Sequence, residues 1–561
     1  MKNLAGKHIL VLGLGASGLA LARWCRRCGA QVTVADTRAA PPQLAALRAG
    51  LPDVRFVNAE MTDALLSGIS FDMVLKSPGL SPADASGVVD AARVRGVLCG
   101  NELSLFAYAL ADLKNERGYA PRVIGVTGTN GKTTVTALAG QLVRRSGKSV
   151  AVAGNIGPTL LDTLAERLDR EGPVVAIEQA PSAQRMHRAG IQEVCEAGAA
   201  SDGAAGDEDD ASDVVAAQPA MPTVLALPVF VSLPEVWVLE LSSFQLDGVD
   251  NFKPTVATVL NLSQDHLDWH ASMPAYFAAK NRVYGSGLML LNRDDPQVMA
   301  ALPPAPTPTR GKTAPARAYL TFGSDAPQRP GDYGIASVNG MAWLVRASDA
   351  DETFKRRKHE EVDLHIQRLM PLDALRIRGR HNATNALAAL ALAVAAGCAM
   401  APMLHGLREY RGEPHRVESI AVINDVEYFD DSKGTNVGAT VAAITGLGDD
   451  RKLVVILGGE GKGQDFLPLS GPVSRHARAV VLIGRDAALI RSALEASGVP
   501  TFDASSMQQA VELSSQQART GDAVLMSPAC ASFDMFDNYE HRARIFREAV
   551  AALALDAGVS V

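Results

Sequence analysis

Cysteine is scarce in this chain, with six residues spread from Cys25 to Cys530 over 561 positions. So few thiols cannot staple a fold of that length, which excludes a disulfide-held secreted scaffold and predicts a reducing, cytoplasmic setting. Long apolar runs are missing too. No stretch of about 18 residues is free of glycine and charge, so no transmembrane helix and no membrane partner are expected. There is no basic excess either: 54 Lys and Arg stand against 61 Asp and Glu, a net charge of -7. That balance argues against a protein that coats nucleic acid. Much of it comes from 201–213, where six acids (Asp202, Asp207, Glu208, Asp209, Asp210, Asp213) stand without a single Lys or Arg. Without that segment the chain is nearly neutral.

What remains is an apolar-rich sequence, 47% hydrophobic, long enough for three or four separately cored units. Lys2 and the apolar stretch 8–22 imitate a signal peptide, but Gly13, Gly15 and Gly18 divide that stretch into a strand (8–12), a glycine turn and a helix (19–27). A second strand, 31–35, follows, and the pattern to residue 118 is that of βαβ units around a parallel sheet. A charged connector, 112–122, leads to a second α/β unit spanning 119–411. Its strands are read at 122–127, 149–153, 236–241 and 254–260, and its helices at 133–146 and 384–396, the latter stopped by Gly397. Two excursions interrupt this unit. Around 172–232 the composition turns to Ala, Gly and acid without period, and at 302–318 proline density (Pro303, Pro304, Pro306, Pro308, Pro315) precludes helix and central strand. The basic run 355–358 reads as a solvated loop. A third α/β unit, 412–561, opens with a hairpin turning at Asn424-Asp425 and continues with strands at 452–457, 479–483 and 522–526.

Two glycine loops follow strands and open helices. In Gly13-Leu14-Gly15-Ala16-Ser17-Gly18, with Asp36 at the tip of the next strand, glycines admit phosphate to a helix N-terminus and the carboxylate can hold a ribose. Arg38 beside it could equally meet a phosphate or a base. The stronger signal is Gly128-Thr129-Asn130-Gly131-Lys132-Thr133-Thr134. Such a loop cradles phosphates on its N–H groups, Lys132 neutralises their charge, and the Thr133 hydroxyl can ligate Mg²⁺. Gly311-Lys312-Thr313 lacks a preceding strand and is a decoy. Glu240 interrupts an apolar strand, where a carboxylate is costly without a cation or hydrogen bonds, and Asp265 and His266 follow another strand. Cys25 and Cys28 have the Cys-x-x-Cys spacing, but on a helix with no second pair, so they are read as structural. In the third unit, three strand-end loops carry acids, lysines and hydroxyls: 429–436, 458–463 and 527–534. Together they suit a small anionic ligand.

Taken with Ser77-Pro78-Gly79, Gly154-Asn155-Ile156-Gly157, Gly379-Arg380-His381-Asn382 and Pro414-His415-Arg416, these segments resemble the Mur ligases over about 450 residues. The resemblance implies an α/β fold of three domains: an N-terminal Rossmann-like domain, a central P-loop ATPase-like parallel sheet and a C-terminal Rossmann-like domain. It implies an ATP-dependent amide ligase that adds D-glutamate to UDP-N-acetylmuramoyl-L-alanine through an acyl phosphate, working as a monomer. It places the uridine nucleotide on Gly15, Ser17, Asp36, Thr37, Arg38 and Ser77, and the muramoyl part on Asn155. ATP falls on Gly128 to Thr134 with Asn385, Arg416 and Asp431. Two Mg²⁺ ions fall on Thr133, Glu240, His266 and Lys280, the lysine carbamylated. D-Glutamate falls near Lys433, Thr435, Lys462, Ser532, Phe533 and Tyr539. Glu460 stands where the family commonly has Asp, and Tyr539 where it commonly has Phe. The competing readings are a related amide ligase with another amino acid, a nicotinamide-dependent oxidoreductase built on the first loop, and a regulatory ATPase.

Overall fold

The computed structural model describes residues 4–171, 175–176, 228–304, 316–349, 363–449 and 451–559. The acidic stretch 201–213, most of the proline tract, the Gly311-Lys312-Thr313 decoy and the basic run 355–358 lie outside them.

The chain forms three α/β layers, each around its own sheet. The first sheet is wholly parallel, in the order Arg55–Asn58, Gln31–Asp36, His8–Leu12, Met73–Lys76, Leu98–Gly100. The order reverses between His8–Leu12 and Met73–Lys76, and such a switch point opens a crevice beyond the carboxyl ends of the two strands. The glycine turn and Ser77 flank that crevice. The helix Ala16–Arg27 starts inside the turn, three residues earlier than the periodicity predicts. Gly18 is obligatory there: a Cβ on it would sit 2.0 Å from the Gly13 carbonyl oxygen.

The second sheet has nine strands, with Arg122–Thr127 between Val236–Glu240 and Val256–Val259. Every residue of these strands is buried except Arg122, as a parallel sheet covered on both faces requires. Helix Lys132–Arg145 follows the second glycine loop and packs against Arg380–Ala395, whose Ala and Leu side chains are buried along most of its length. At the far edge the sheet gains the strands Tyr319–Phe322, Tyr333–Val338, Met341–Asp349 and Leu364–Pro371, the last two antiparallel to their neighbours. The sequence reading does not anticipate these. Their clearest signal is the Asn339-Gly340 pair, both at positive φ (53° and 79°), a two-residue hairpin turn.

The third sheet runs Glu418–Ile423, Val426–Asp430, Ala523–Met526, Leu453–Gly458, Ala477–Ile483, Thr501–Asp503, parallel except for the first strand. Asn424 and Asp425 make the expected turn, with φ of 50° and 60°. The three loops singled out in the sequence leave three adjacent strands of this sheet at one edge. The described cysteines, Cys25 and Cys28 among them, are free thiols, and no described helix is long and apolar enough to cross a membrane.

Candidate active site

The glycine loop 128–134 leaves an interior strand of the second sheet, and the ends of both neighbouring strands converge on it. Gly131 caps the following helix in the left-handed region (φ 80°), and a side chain there would strike the Asn385 amide, 2.7 Å away. Asn261 splints the loop from beside it: Oδ1 accepts from the Asn130 N–H at 2.8 Å and Nδ2 donates to the Asn130 carbonyl at 3.2 Å. The Thr129 hydroxyl meets Tyr276 Oη at 3.1 Å and accepts from the Ser263 N–H at 3.0 Å. Sequence reasoning assigns no role to Asn261 or Tyr276, because a lone amide and a phenol carry no spacing signal.

Lys132 Nζ donates to the carbonyls of Gly128 and Thr129 at 2.9 and 2.8 Å. Lys280, fully buried beneath the loop, donates to the Gly128 carbonyl at 2.8 Å and lies 4.6 Å from the Tyr276 ring centre. Burial, with Lys132 nearby, pulls the Lys280 amine well below the ordinary lysine pKa. Burial also lowers Lys132, with Glu240 opposing.

Glu240 is 1% exposed, at the end of its strand. Its Oε1 accepts from Asn155 Nδ2 at 2.7 Å, while Oε2 has no hydrogen-bond partner. A buried carboxylate oxygen left open is costly unless a cation takes it, so the Glu240 environment fits a metal ion. His266 stands in the left-handed region (φ 54°) with Asp265 at 3.6 Å and the Phe244 ring at 4.7 Å. Burial lowers its pKa, leaving the neutral imidazole that metal binding needs. Thr133 Oγ1 accepts from Arg416 Nη2 at 2.7 Å and keeps a lone pair.

Arg416 belongs to the third domain, and that contact bridges the two walls of a cleft of about 970 Å³ between the loop and the third sheet. Thr129, Asn130, Gly131, Lys132, Thr133, Asn155, Glu240, His266, Arg416, Lys433, Thr435, Lys462 and Tyr539 all line it. Asn436, on which the sequence reading places no role, joins the two walls: its Nδ2 donates to Asn130 Oδ1 at 3.1 Å and to Asp265 Oδ2 at 3.4 Å. Lys433 Nζ sits 3.6 Å above the Tyr539 ring and Lys462 Nζ 5.5 Å from that of Phe533. Glu460 is turned away into an ion pair with Arg485 at 3.0 Å.

Other expected residues stand outside the cleft lining. Gly128 and Thr134 are the two ends of the loop, and Asn385 and Lys280 pack against it from behind or below. Asp431 points inward, accepting from Ser527 Oγ at 2.6 Å, and burial raises its carboxyl to about 7. Ser532 is buried and Phe533 is largely exposed. Gly15, Ser17, Asp36, Thr37, Arg38 and Ser77 form a separate group at the first sheet's switch point. There Asp36 accepts from the Leu14 N–H at 2.7 Å and from Arg38 Nε and Nη2 at 2.8 Å each. Burial opposes ionisation, yet these donors bring Asp36 down to about 2. With both oxygens so engaged, Asp36 is poorly placed to hold a ribose hydroxyl, which disfavours the nicotinamide reading.

A phosphate loop, an open buried carboxylate and an opposed cationic domain define a three-domain nucleotide-dependent enzyme. The chain belongs to the Mur ligase family. The model of the Mur ligase MurD-like N-terminal domain matches residues 7–99, that of the Mur ligase middle domain 223–393, and that of the Mur ligase glutamate ligase domain 415–530. Three proteins named UDP-N-acetylmuramoylalanine--D-glutamate ligase are similar along their whole length. That of Albidiferax ferrireducens is 59% identical over 100% of this chain and 99% of its own. That of Polaromonas sp. is 54% identical over 100% of both, and that of Ralstonia nicotianae 50% over 99% of both.

Proposed function

We propose that this chain is an ATP-dependent amide ligase joining D-glutamate to UDP-N-acetylmuramoyl-L-alanine, a step of peptidoglycan precursor synthesis, and that it acts as a cytoplasmic monomer. Its domains divide at 118 and 411 into a uridine-nucleotide domain, an ATP domain and an amino-acid domain. The observation that carries this reading is the cleft in which a phosphate loop faces two lysines of another domain across a shared cavity. The full-length likeness to relatives bearing that activity in their names supports the choice of substrates.

In this reading the alanine carboxylate attacks the γ-phosphorus of ATP; ADP leaves and an acyl phosphate forms. The D-glutamate amine then attacks the acyl carbon, phosphate departs and the amine loses its proton. The chain's task is to bring anions together and hold them in line. Lys132 turns from its loop carbonyls to the β- and γ-phosphates. Arg416 and Asn385 hold the nucleotide from either side of the loop, Asp431 turns from Ser527 to reach the ribose, and Asn155 holds the muramoyl substrate by Glu240. Lys433, Thr435 and Lys462 hold the D-glutamate carboxylates beside Ser532, Phe533 and Tyr539. Two Mg²⁺ ions, held by Glu240, His266, Thr133 and a carbamylated Lys280, would supply positive charge against the charge developing on the phosphoryl oxygens. Lys280 suits that modification: a neutral amine adds CO₂ and loses a proton, exchanging a buried base for a carboxylate.

Phosphate release from ATP, measured with and without UDP-N-acetylmuramoyl-L-alanine against a panel of D- and L-amino acids, tests the proposal. Release requiring both the muramoyl nucleotide and D-glutamate is expected. Release without the nucleotide would favour a regulatory ATPase, and preference for another amino acid would favour the related-ligase reading.

A further inference from the structure

Glu102 is a buried acid with no part in the chemistry above. It is 1% exposed, at the first turn of helix Glu102–Arg117, which closes the first domain. Its Oε1 accepts from the Leu161 N–H at 3.1 Å, and the Leu160 amide and the Ser17 hydroxyl also bear on the carboxyl. Oε2 makes no further bond of good geometry.

These partners come from two domains. Ser17 belongs to the first glycine turn, at the start of helix Ala16–Arg27. Leu160 and Leu161 open helix Leu160–Arg170 of the second domain, directly after the turn Gly154-Asn155-Ile156-Gly157. That helix lacks a side-chain cap of its own: the Thr159 hydroxyl donates instead to Asp162 at 2.9 Å. Glu102 supplies the missing acceptor from another domain, where a carboxylate also meets the positive end of the helix. The residues around it fasten the same junction. Asn101 Nδ2 donates to the carbonyls of Gln245 and Asp247 at 2.9 and 3.3 Å, and Asn251 Nδ2 donates to the Ser104 carbonyl at 3.0 Å. The first turn of this helix thus grips the helix after Asn155 and the segment after Glu240 at once, beside the Ser17 turn.

We infer that Glu102 is a positioning residue for the uridine-nucleotide substrate: it fixes the Ser17 turn and the Asn155 turn at the separation that one substrate must bridge between them. The inference rests on the proposed placement of that nucleotide on the first domain. Burial raises the Glu102 carboxyl above its usual range, and what it gives this junction is an acceptor oxygen for a backbone N–H of the second domain. An amide keeps that oxygen; a methyl group does not.

The test compares wild type with Glu102→Gln, Glu102→Ala and Glu102→Asp. Steady-state KM is measured for UDP-N-acetylmuramoyl-L-alanine, ATP and D-glutamate, and the muramoyl nucleotide is titrated calorimetrically without ATP. Glu102→Ala should raise KM and Kd for the nucleotide by about tenfold or more, the scale of one buried hydrogen-bonding group lost. Its kcat and its KM for ATP should stay within about twofold, and Glu102→Gln should restore nucleotide binding to within about threefold of wild type. If Glu102→Ala does not fold, the comparison of Gln with the shorter Asp decides, with Asp the impaired one. Unchanged nucleotide KM in the Ala and Asp variants, a parallel rise in all three KM values, or a Gln variant no better than Asp overturns the inference alone. A wild-type protein that does not bind the nucleotide overturns the reading beneath it as well.

Discussion

Arg416 Nη2 and Thr133 Oγ1 lie 2.7 Å apart, although 283 residues separate them in the chain. The guanidinium comes from the segment entering the third domain, and the hydroxyl from the first turn of the phosphate-loop helix. Together with the Asn436–Asn130 amide pair, this contact joins the domain proposed to hold the incoming amino acid to the loop proposed to hold ATP. Closure and nucleotide binding therefore share residues, and losing one impairs the other.

Replacing Arg416 by Ala should lower kcat/KM for ATP by about tenfold to a hundredfold, as expected for a charge-assisted bond to a phosphate or loop hydroxyl. Arg416→Lys should recover only part of it, because an ammonium cannot reproduce the planar fork. Steady-state kinetics with ATP varied checks both.

Glu240 lines the cleft and keeps a buried oxygen with no partner. Glu240→Gln retains the bond to Asn155 in one amide orientation and removes the charge. Turnover should fall by about a hundredfold or more, and the Mg²⁺ concentration for half-maximal activity should rise. Chelation of Mg²⁺ should abolish wild-type activity. A Gln variant with the wild-type metal dependence would remove Glu240 from the metal site.

Lys280 is buried with its amine well below the usual lysine range. A neutral amine reacts with CO₂, so wild-type activity should fall on exhaustive degassing and return with bicarbonate. Lys280→Ala should be inactive and indifferent to bicarbonate. Mass spectrometry of the intact native protein should find the carbamate on wild type alone.

Histidine 381 predicts a pH dependence of stability. Its ring is wedged against Gly446 of the third domain, where a Cβ would lie 2.2 Å from Nδ1, and Nδ1 has no partner. Burial pushes its pKa down from 6.5 to about 4. Between those values the unfolded chain holds a proton that the folded one lacks, so stability rises with pH across this window and is lost as pH falls through it. From pH 7.5 to pH 5, wild type should lose about 2 kcal/mol more than His381→Asn, read from denaturant midpoints. Equal losses would show that the ring is free to charge.

The parts of this fold legible in the sequence are those governed by local rules. Strand Arg122–Thr127 and the loop after it stand where apolar run and glycines predict, and the Asn424-Asp425 turn follows from its residue types. The three acidic and basic loops of the third domain were readable as strand ends, and the sheet order then gathers them at one edge. The distal strands of the second sheet went unread because exposed residues interrupt their alternation, as in Leu364–Pro371, even though Asn339-Gly340 marks the turn. Site residues that act through contacts between distant segments were illegible for a different reason. Glu102, Asn261 and Asn436 look like ordinary polar residues until the chain brings Leu161, Asn130 and Asp265 to them.

The most direct test of the proposed ligase chemistry labels the alanine carboxylate of UDP-N-acetylmuramoyl-L-alanine with heavy oxygen and follows the label during turnover with ATP and D-glutamate. Attack of that carboxylate on ATP predicts that each phosphate released carries one labelled oxygen and that the new amide keeps the other. Unlabelled phosphate, with both heavy oxygens left on the muramoyl nucleotide, would mean that water attacks ATP and would contradict the account.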